Sequence, residues 1–123
     1  RETDGLAMSS RNLKLKLNQR KQAVFLYQII QETEGKIRKI LYHTKGIHTN
    51  KIIKKIDKIK LVQEEKCKNN KKFKLEYIEI CNGKNLRSLK EIKPNTEIAI
   101  LIAGYYGKIR LIDNSIIKVN IYF

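Results

Sequence analysis

The chain has 123 residues, one domain's worth and too few for a complete two-domain enzyme. Its apolar share is an ordinary 41%, supplied mainly by aliphatic residues with no Trp, so the expected core is Ile, Leu and Val. The formal charge of +15 raises the question of a polyanionic partner, while no apolar run approaches the length of a membrane span and the first residues do not form a signal peptide.

Residues 1–15 contain Gly5, two serines and few periodic apolar positions, and they read as a loop. From about residue 17 the pattern turns helical, with Leu17, Val24, Leu26, Tyr27 and Ile30 on a broad apolar stripe and Arg20, Lys21 and Gln28 left for water. The spacing predicts a helix over about 17–33; Gly35 interrupts it, or "KIRKILY" carries it on as far as Tyr42. "HTKGIHTN" is a turn, and Thr49 or Asn50 makes a good N-cap for a helix over about 50–66. That helix buries Ile52, Ile56 and Ile59, with Val62 next in line, and leaves Lys51, Lys54, Lys55 and Lys58 in solvent. A short turn between two helices predicts antiparallel packing.

After "KCKNNKK" the period becomes extended. "FKLEYIEI" sets Phe73, Leu75 and Tyr77 against Lys74 and Glu76, but Ile78 and Ile80 fall on the opposite parity, which predicts a strand over about 73–81 with apolar content on both faces. "NGKN" is a turn signal, and the sole proline, Pro94, marks another in "IKPNTE". "IAILIA" (98–103) is continuously apolar, as expected of a strand buried on both faces, here placed over about 97–104. Gly104 and Gly107 bracket Tyr105 and Tyr106 at an expected bend or bulge. A last strand over about 115–122 sets Ile117, Val119 and Ile121 against Lys118 and Asn120. The expected class is α+β, a helical pair beside a small, mainly antiparallel sheet of about three strands.

Few residue types offer chemistry by themselves. Arg is confined to Arg1, Arg11, Arg20, Arg38, Arg87 and Arg110, and it is Arg that forms forks with phosphate and guanine edges. Runs such as "KIIKKIDKIK" and "KCKNNKKFK" therefore read as Lys-painted solvated faces; a Lys-rich nucleic-acid-binding module is the rival reading. Cys67 and Cys81 make no disulfide framework and lack metal-ligand spacing, and His43 and His48 do not share a helix face, so no metal site and no catalytic role is expected of them. The expected compartment is cytosolic. With no initiator Met ahead of "RETDGLAMSS", the chain reads as a fragment.

Two stretches carry a resemblance. "RETDGLAMSSRN" (1–12) and "IAGYYGKIRLIDN" (102–114) each resemble a signature of the pantothenate synthetase (pantoate–β-alanine ligase) family, in the family's order and near its separation. Between them "YIEICNGKNLRSL" (77–89) resembles the family's strand and turn, and the helical middle matches by pattern. The resemblance implies a two-step, ATP-dependent condensation of pantoate with β-alanine through pantoyl adenylate. It also implies a Rossmann-like nucleotide-binding domain followed by a smaller C-terminal lid of helices and a three-stranded antiparallel sheet. On that basis residues 1–15 form a phosphate-binding loop at the junction and 16–123 the lid. The HIGH-like motif, the pantoate-binding glutamines and most of the adenosine site lie upstream of Arg1, along with most contacts to ATP and its magnesium. The implied partners are ATP, pantoate, β-alanine, the chain's own N-terminal domain and, for the full-length enzyme, a second copy in a homodimer.

Within this chain the resemblance assigns ATP binding to Met8, Ser9, Ser10 and Arg11. "MSSR" looks like the family's version of the KMSKS-type loop of class I aminoacyl-tRNA synthetases. Adenylation spreads negative charge over the α-phosphate and the departing pyrophosphate, so fixed donors and positive charge help most. Arg11 offers a permanent charge and a fork, the two serines offer hydroxyls, and Gly5 permits unusual backbone angles nearby. Without the flanking match, "SSRN" would read as a capped helix start with Arg11 in a surface ion pair. For "GKIRLIDN", Lys108 or Arg110 either reaches a phosphate across the domain interface or, the preferred reading, Arg110 pairs with Asp113 to fix the last strands. The chain departs from the family pattern after "SSRN": Lys14 replaces an aromatic, and Lys16 sits where a capping residue is usual, opposing the helix dipole. The fragment alone is expected to be inactive, with a mobile Met8–Arg11 loop and an exposed interdomain face.

Overall fold

The computed structural model describes residues 17–43 and 49–119. Two helices and three strands follow in order: α1 (Leu17–His43), α2 (Thr49–Lys68), β1 (Phe73–Asn82), β2 (Glu97–Tyr106) and β3 (Ile109–Lys118). The strands form an antiparallel meander in the order β1-β2-β3, with both helices on one face. This is the α+β arrangement that the alternation of periods predicts.

α1 does not stop before Gly35. It runs on to His43, because Ile37, Ile40 and Leu41 continue the stripe begun by Leu26, Ile29 and Ile30, and burial outweighs the weak helix preference of one glycine. α2 buries Ile52, Ile56 and Ile59 as expected. The fourth position differs: Val62 is 54% exposed and Gln63 is fully buried. Helical spacing explains the exchange, since 52, 56, 59, 63 and 67 recur every three or four residues and 62 falls outside that row. Gln63 is tolerated there because its amide is satisfied. Its Nε2 donates to the Thr33 hydroxyl (3.2 Å), and its Oε1 accepts from Lys36 Nζ (3.0 Å). With Lys66 Nζ donating to both Glu32 oxygens at 2.7 Å, these bonds tie α1 and α2 antiparallel. The Thr49 hydroxyl donates to the Ile92 carbonyl, joining the start of α2 to the β1–β2 connection. The junction 44–48 lies outside the described residues.

The parity switch in "FKLEYIEI" is a β-bulge. Leu75 pairs with Gly104 and Tyr77 with Ala103, leaving Glu76 as the extra residue. Phe73 and Leu75 before the bulge and Ile78 and Ile80 after it thus all join the core between sheet and helices. β1 has one apolar face with a reset, not two. β2 supplies Ile98, Ile100 and Ile102 to the same core. No described helix covers its other side; Ala99 and Ala103 are hidden because they are small and flanked in their rows by Cys81 and Ile116 and by Tyr77 and Ile112.

Gly104 lies inside β2, where a Cβ would stand 2.2 Å from the Phe73 ring and 2.7 Å from the Lys74 carbonyl oxygen. The bend comes three residues later. Tyr106 pairs with Ile109 around the two-residue turn Gly107–Lys108, and Gly107 alone is left-handed there (φ 60°), the type II′ pattern. The last strand accordingly starts at Ile109, six residues earlier than expected, with Asp113 and Asn114 held in the ladder opposite Ile102 and Leu101. Its expected end at 122 lies outside the described residues. The β1–β2 connection is anchored by buried Leu89 and Ile92. It closes with Pro94 and left-handed Asn95 (φ 72°) beneath a Thr96 N to Lys93 O bond of 3.0 Å, a type II turn.

Candidate functional site

The four positions assigned to ATP, Met8, Ser9, Ser10 and Arg11, lie outside the described residues, as do Gly5, Lys14, Lys16 and His48. The structure does place the surroundings to which that segment is joined. Phe25 on α1 packs edge-on against Phe73, with ring centroids 5.9 Å apart. Phe73 pairs with Tyr106, which pairs with Ile109 beside the hairpin turn. Further along α1, Glu34 accepts from the Ser115 hydroxyl at 3.0 Å, well down β3 from the turn. α1 therefore begins at the hairpin end of the domain and runs toward the other end.

At the hairpin end, Arg110 and Lys108 have different surroundings. Arg110 forms a fork with Glu76, Nε to Oε1 at 2.9 Å and the terminal nitrogen to Oε2 at 3.0 Å. Glu76 follows core-facing Leu75 and so lies on the open face, whence it reaches across the central strand. The Arg110 guanidinium holds the Glu76 carboxyl below the usual carboxylate range, and the bonded carboxylate in turn raises Arg110, with Tyr105 and Tyr77 adding to that. This corrects the expected partner. Alternation along β3 puts Asp113 on the helix side with Leu111 and Ile117, and Arg110 on the open side. Asp113 instead accepts the backbone N–H of Asn114 at 2.8 Å. Glu76 was passed over in the sequence because pairing over two strands leaves no local spacing signal, although the parity switch beside it was visible.

Other polar groups are occupied with one another. A cleft of about 500 Å³ beside α1 is lined by Tyr27, Ile30, Gln31, Glu34, Gly35, Arg38 and Ser115. Within it Gln31 donates to the Tyr27 hydroxyl, while Arg38 and Ser115 both donate to Glu34. Cys67 and Cys81 are buried thiols, and burial pushes Cys67 up to about 11 and raises Cys81 too, the reverse of an activated nucleophile. His43 stacks edge-on with Tyr42 near the end of α1. Among the described residues no group of three or more His, Cys, Asp or Glu is placed to hold a metal ion. No described helix is long and apolar enough to cross a membrane.

The family model described as Pantoate-beta-alanine ligase matches residues 1–116. The chain belongs to that family. It is 35% identical over 115 residues to the pantothenate synthetase of Christiangramia forsetii, covering 93% of this chain and 35% of the relative. It is 40% identical over 116 residues to that of Wigglesworthia glossinidia brevipalpis, covering 94% and 36%. The crystal structure of pantothenate synthetase from Thermus thermophilus superposes with a TM-score of 0.62 at 28% identity, over 98% of this chain and 37% of that one. The chain thus spans a little over a third of the length of its pantoate–β-alanine ligase relatives, and its helical pair and three-stranded antiparallel sheet match the corresponding part of the solved enzyme.

Proposed function

We propose that this chain is the C-terminal part of an ATP-dependent ligase that condenses pantoate with β-alanine. The observation that carries the reading is the family match, which runs through "RETDGLAMSSRN" and on to residue 116. In the first step a pantoate carboxylate oxygen attacks the α-phosphorus of ATP and pyrophosphate leaves. In the second the β-alanine amine attacks the acyl carbon, the bond to AMP breaks and the amine loses its proton. Residues 1–15 act as the phosphate-binding loop and residues 16–123 as the lid that carries it. Arg11 places a permanent charge and a fork of donors against the phosphate oxygens, and Ser9, Ser10 and Met8 complete the contact with ATP. Magnesium supplies charge neutralisation on the polyphosphate and is held chiefly by the upstream domain. The enzyme works in the cytoplasm as a homodimer. No finding favours the nucleic-acid reading suggested by the charge.

The test is AMP formation from ATP, pantoate and β-alanine by the full-length protein, with Arg11→Ala alongside. Dependence on all three substrates and a loss of about a hundredfold or more in the variant are expected. Activity that ignores Arg11 keeps the ligase and removes the loop role; an inactive, folded full-length protein removes the ligase. The isolated fragment is expected to release no pyrophosphate from ATP.

A further inference from the structure

We propose that Asn82 is a latent site of covalent modification: its side-chain amide is primed to lose ammonia to attack by the Gly83 nitrogen, and the β1–β2 connection withholds that nitrogen while it stays closed. The chemistry needs only water. The Gly83 nitrogen gives up its proton and adds to Cγ of Asn82, the bond from Cγ to the amide nitrogen breaks, ammonia leaves and a cyclic imide results. Water then opens the ring at one carbonyl or the other. The product is Asp or, where the original backbone bond is the one broken, an isoaspartate whose main chain runs through the side chain.

Asn82–Gly83 is the one Asn-Gly pair in the sequence, and the fold asks for both residues. A Cβ at position 83 would stand 2.8 Å from Cβ of Glu97 and 3.3 Å from its carbonyl carbon and oxygen, so the close approach of β2 selects glycine, the residue that least hinders attack by its own nitrogen. At position 82 the side-chain oxygen accepts the N–H groups of Lys84 at 2.8 Å and Asn85 at 3.2 Å, a role that suits Asn or Asp. Two backbone donors on an amide oxygen draw electron density from its carbon and favour addition there, as in an oxyanion hole. The electrophile is thus activated, but the nucleophile is held back. Gly83 N–H donates to the Glu97 carbonyl at 2.7 Å, one step beyond the Asn82–Ile98 pair that ends β1. Asn82 is pinned as well, its N–H donating to Arg87 O and its carbonyl accepting from Leu86 N, both at 2.8 Å. Ring closure has to break the Gly83–Glu97 bond and turn the Asn82 side chain off its two donors. It therefore waits on opening of the connection, which buried Leu89 holds to the core and which exposed, left-handed Leu86 (φ 59°) strains.

The experiment follows the peptide that carries Asn82 by mass spectrometry, as conversion of amide to acid, in the full-length protein kept under mildly alkaline conditions. Conversion in the folded protein is expected to run about thirtyfold or more slower than in urea-denatured protein, because only the open fraction reacts. Leu89→Ala, which loosens the connection and leaves Asn82 and Gly83 untouched, should raise the folded rate about tenfold. Leu89→Val, a milder cut, should raise it less and serves where the alanine variant does not fold. Gln63→Ala, which weakens the helical pair instead, should stay within about twofold of wild type. A denatured protein that converts no faster than the folded one overturns the proposal, since the connection then withholds nothing. So does a folded rate that the Leu89 variants leave unchanged, or one that Gln63→Ala raises as much, which moves the gate to unfolding of the whole domain. Each of these outcomes leaves the ligase reading intact, because it rests on other residues.

Discussion

Gly35 sits in the interior of α1 with nothing within 4 Å of where a Cβ would stand, so the helix carries the conformational cost of glycine without using its small size. Gly35→Ala is expected to stabilise the protein by about 0.5–1 kcal/mol in urea unfolding. Gly104 has the opposite sign. Its Cβ would meet the Phe73 ring and the Lys74 backbone, and Gly104→Ala should cost about 1–3 kcal/mol by the same measurement, because strand and ring must both shift. The two glycines look alike in the sequence; only the bulged register that lays Phe73 over Gly104 separates them. A thiol reagent near pH 8 should leave Cys67 and Cys81 unlabelled in the folded protein and label both in denaturant, since each is buried and raised.

Among the elements, the helical pair depends most on Gln63. Gln63→Ala removes the partner of Thr33 and Lys36 and leaves a void between α1 and α2, and a loss of about 2–4 kcal/mol is expected on urea unfolding. Glu32 gives a pH dependence. Its bond from Lys66 holds the carboxyl below the ordinary 4.5, so the folded state favours the charged form. That stability is present above the unfolded value and is lost as pH falls through the lower folded one. Between about pH 5 and pH 3 the thermal midpoint of Glu32→Gln should therefore fall less than that of wild type. The same elements show what the sequence discloses. Existence and type of all five were legible because apolar residues recur every three to four positions over α1 and α2, while β1 and β3 carry alternating stretches and β2 a short continuous apolar run. The ends were not: Gly35 looks like a stop and the last strand is expected only from about 115, whereas tertiary burial carries α1 past the glycine and the β2–β3 ladder begins at Ile109. Of the candidate site, motif resemblance reached Met8–Arg11, but the Glu76–Arg110 fork depends on register across three strands.

Over the whole molecule, the excess of 27 Lys and Arg over 12 Asp and Glu works against compaction more than exposed ion pairs such as Arg38–Glu34 can offset. Raising ionic strength from about 0.01 to 0.3 M should therefore raise the thermal midpoint rather than lower it, as screening relieves repulsion between lysines. The fold also has an order in time. β3, which the middle of α1 meets through Glu34 and Ser115, is the last described element in the chain. At translation rates of roughly 5–20 residues per second, α1 and α2 leave the ribosome about 3 to 10 seconds before β3 is complete. In that interval the two helices have only each other to cover their isoleucine stripes, and the Gln63 and Glu32 bonds, which need no sheet, let the nascent hairpin wait in the correct register.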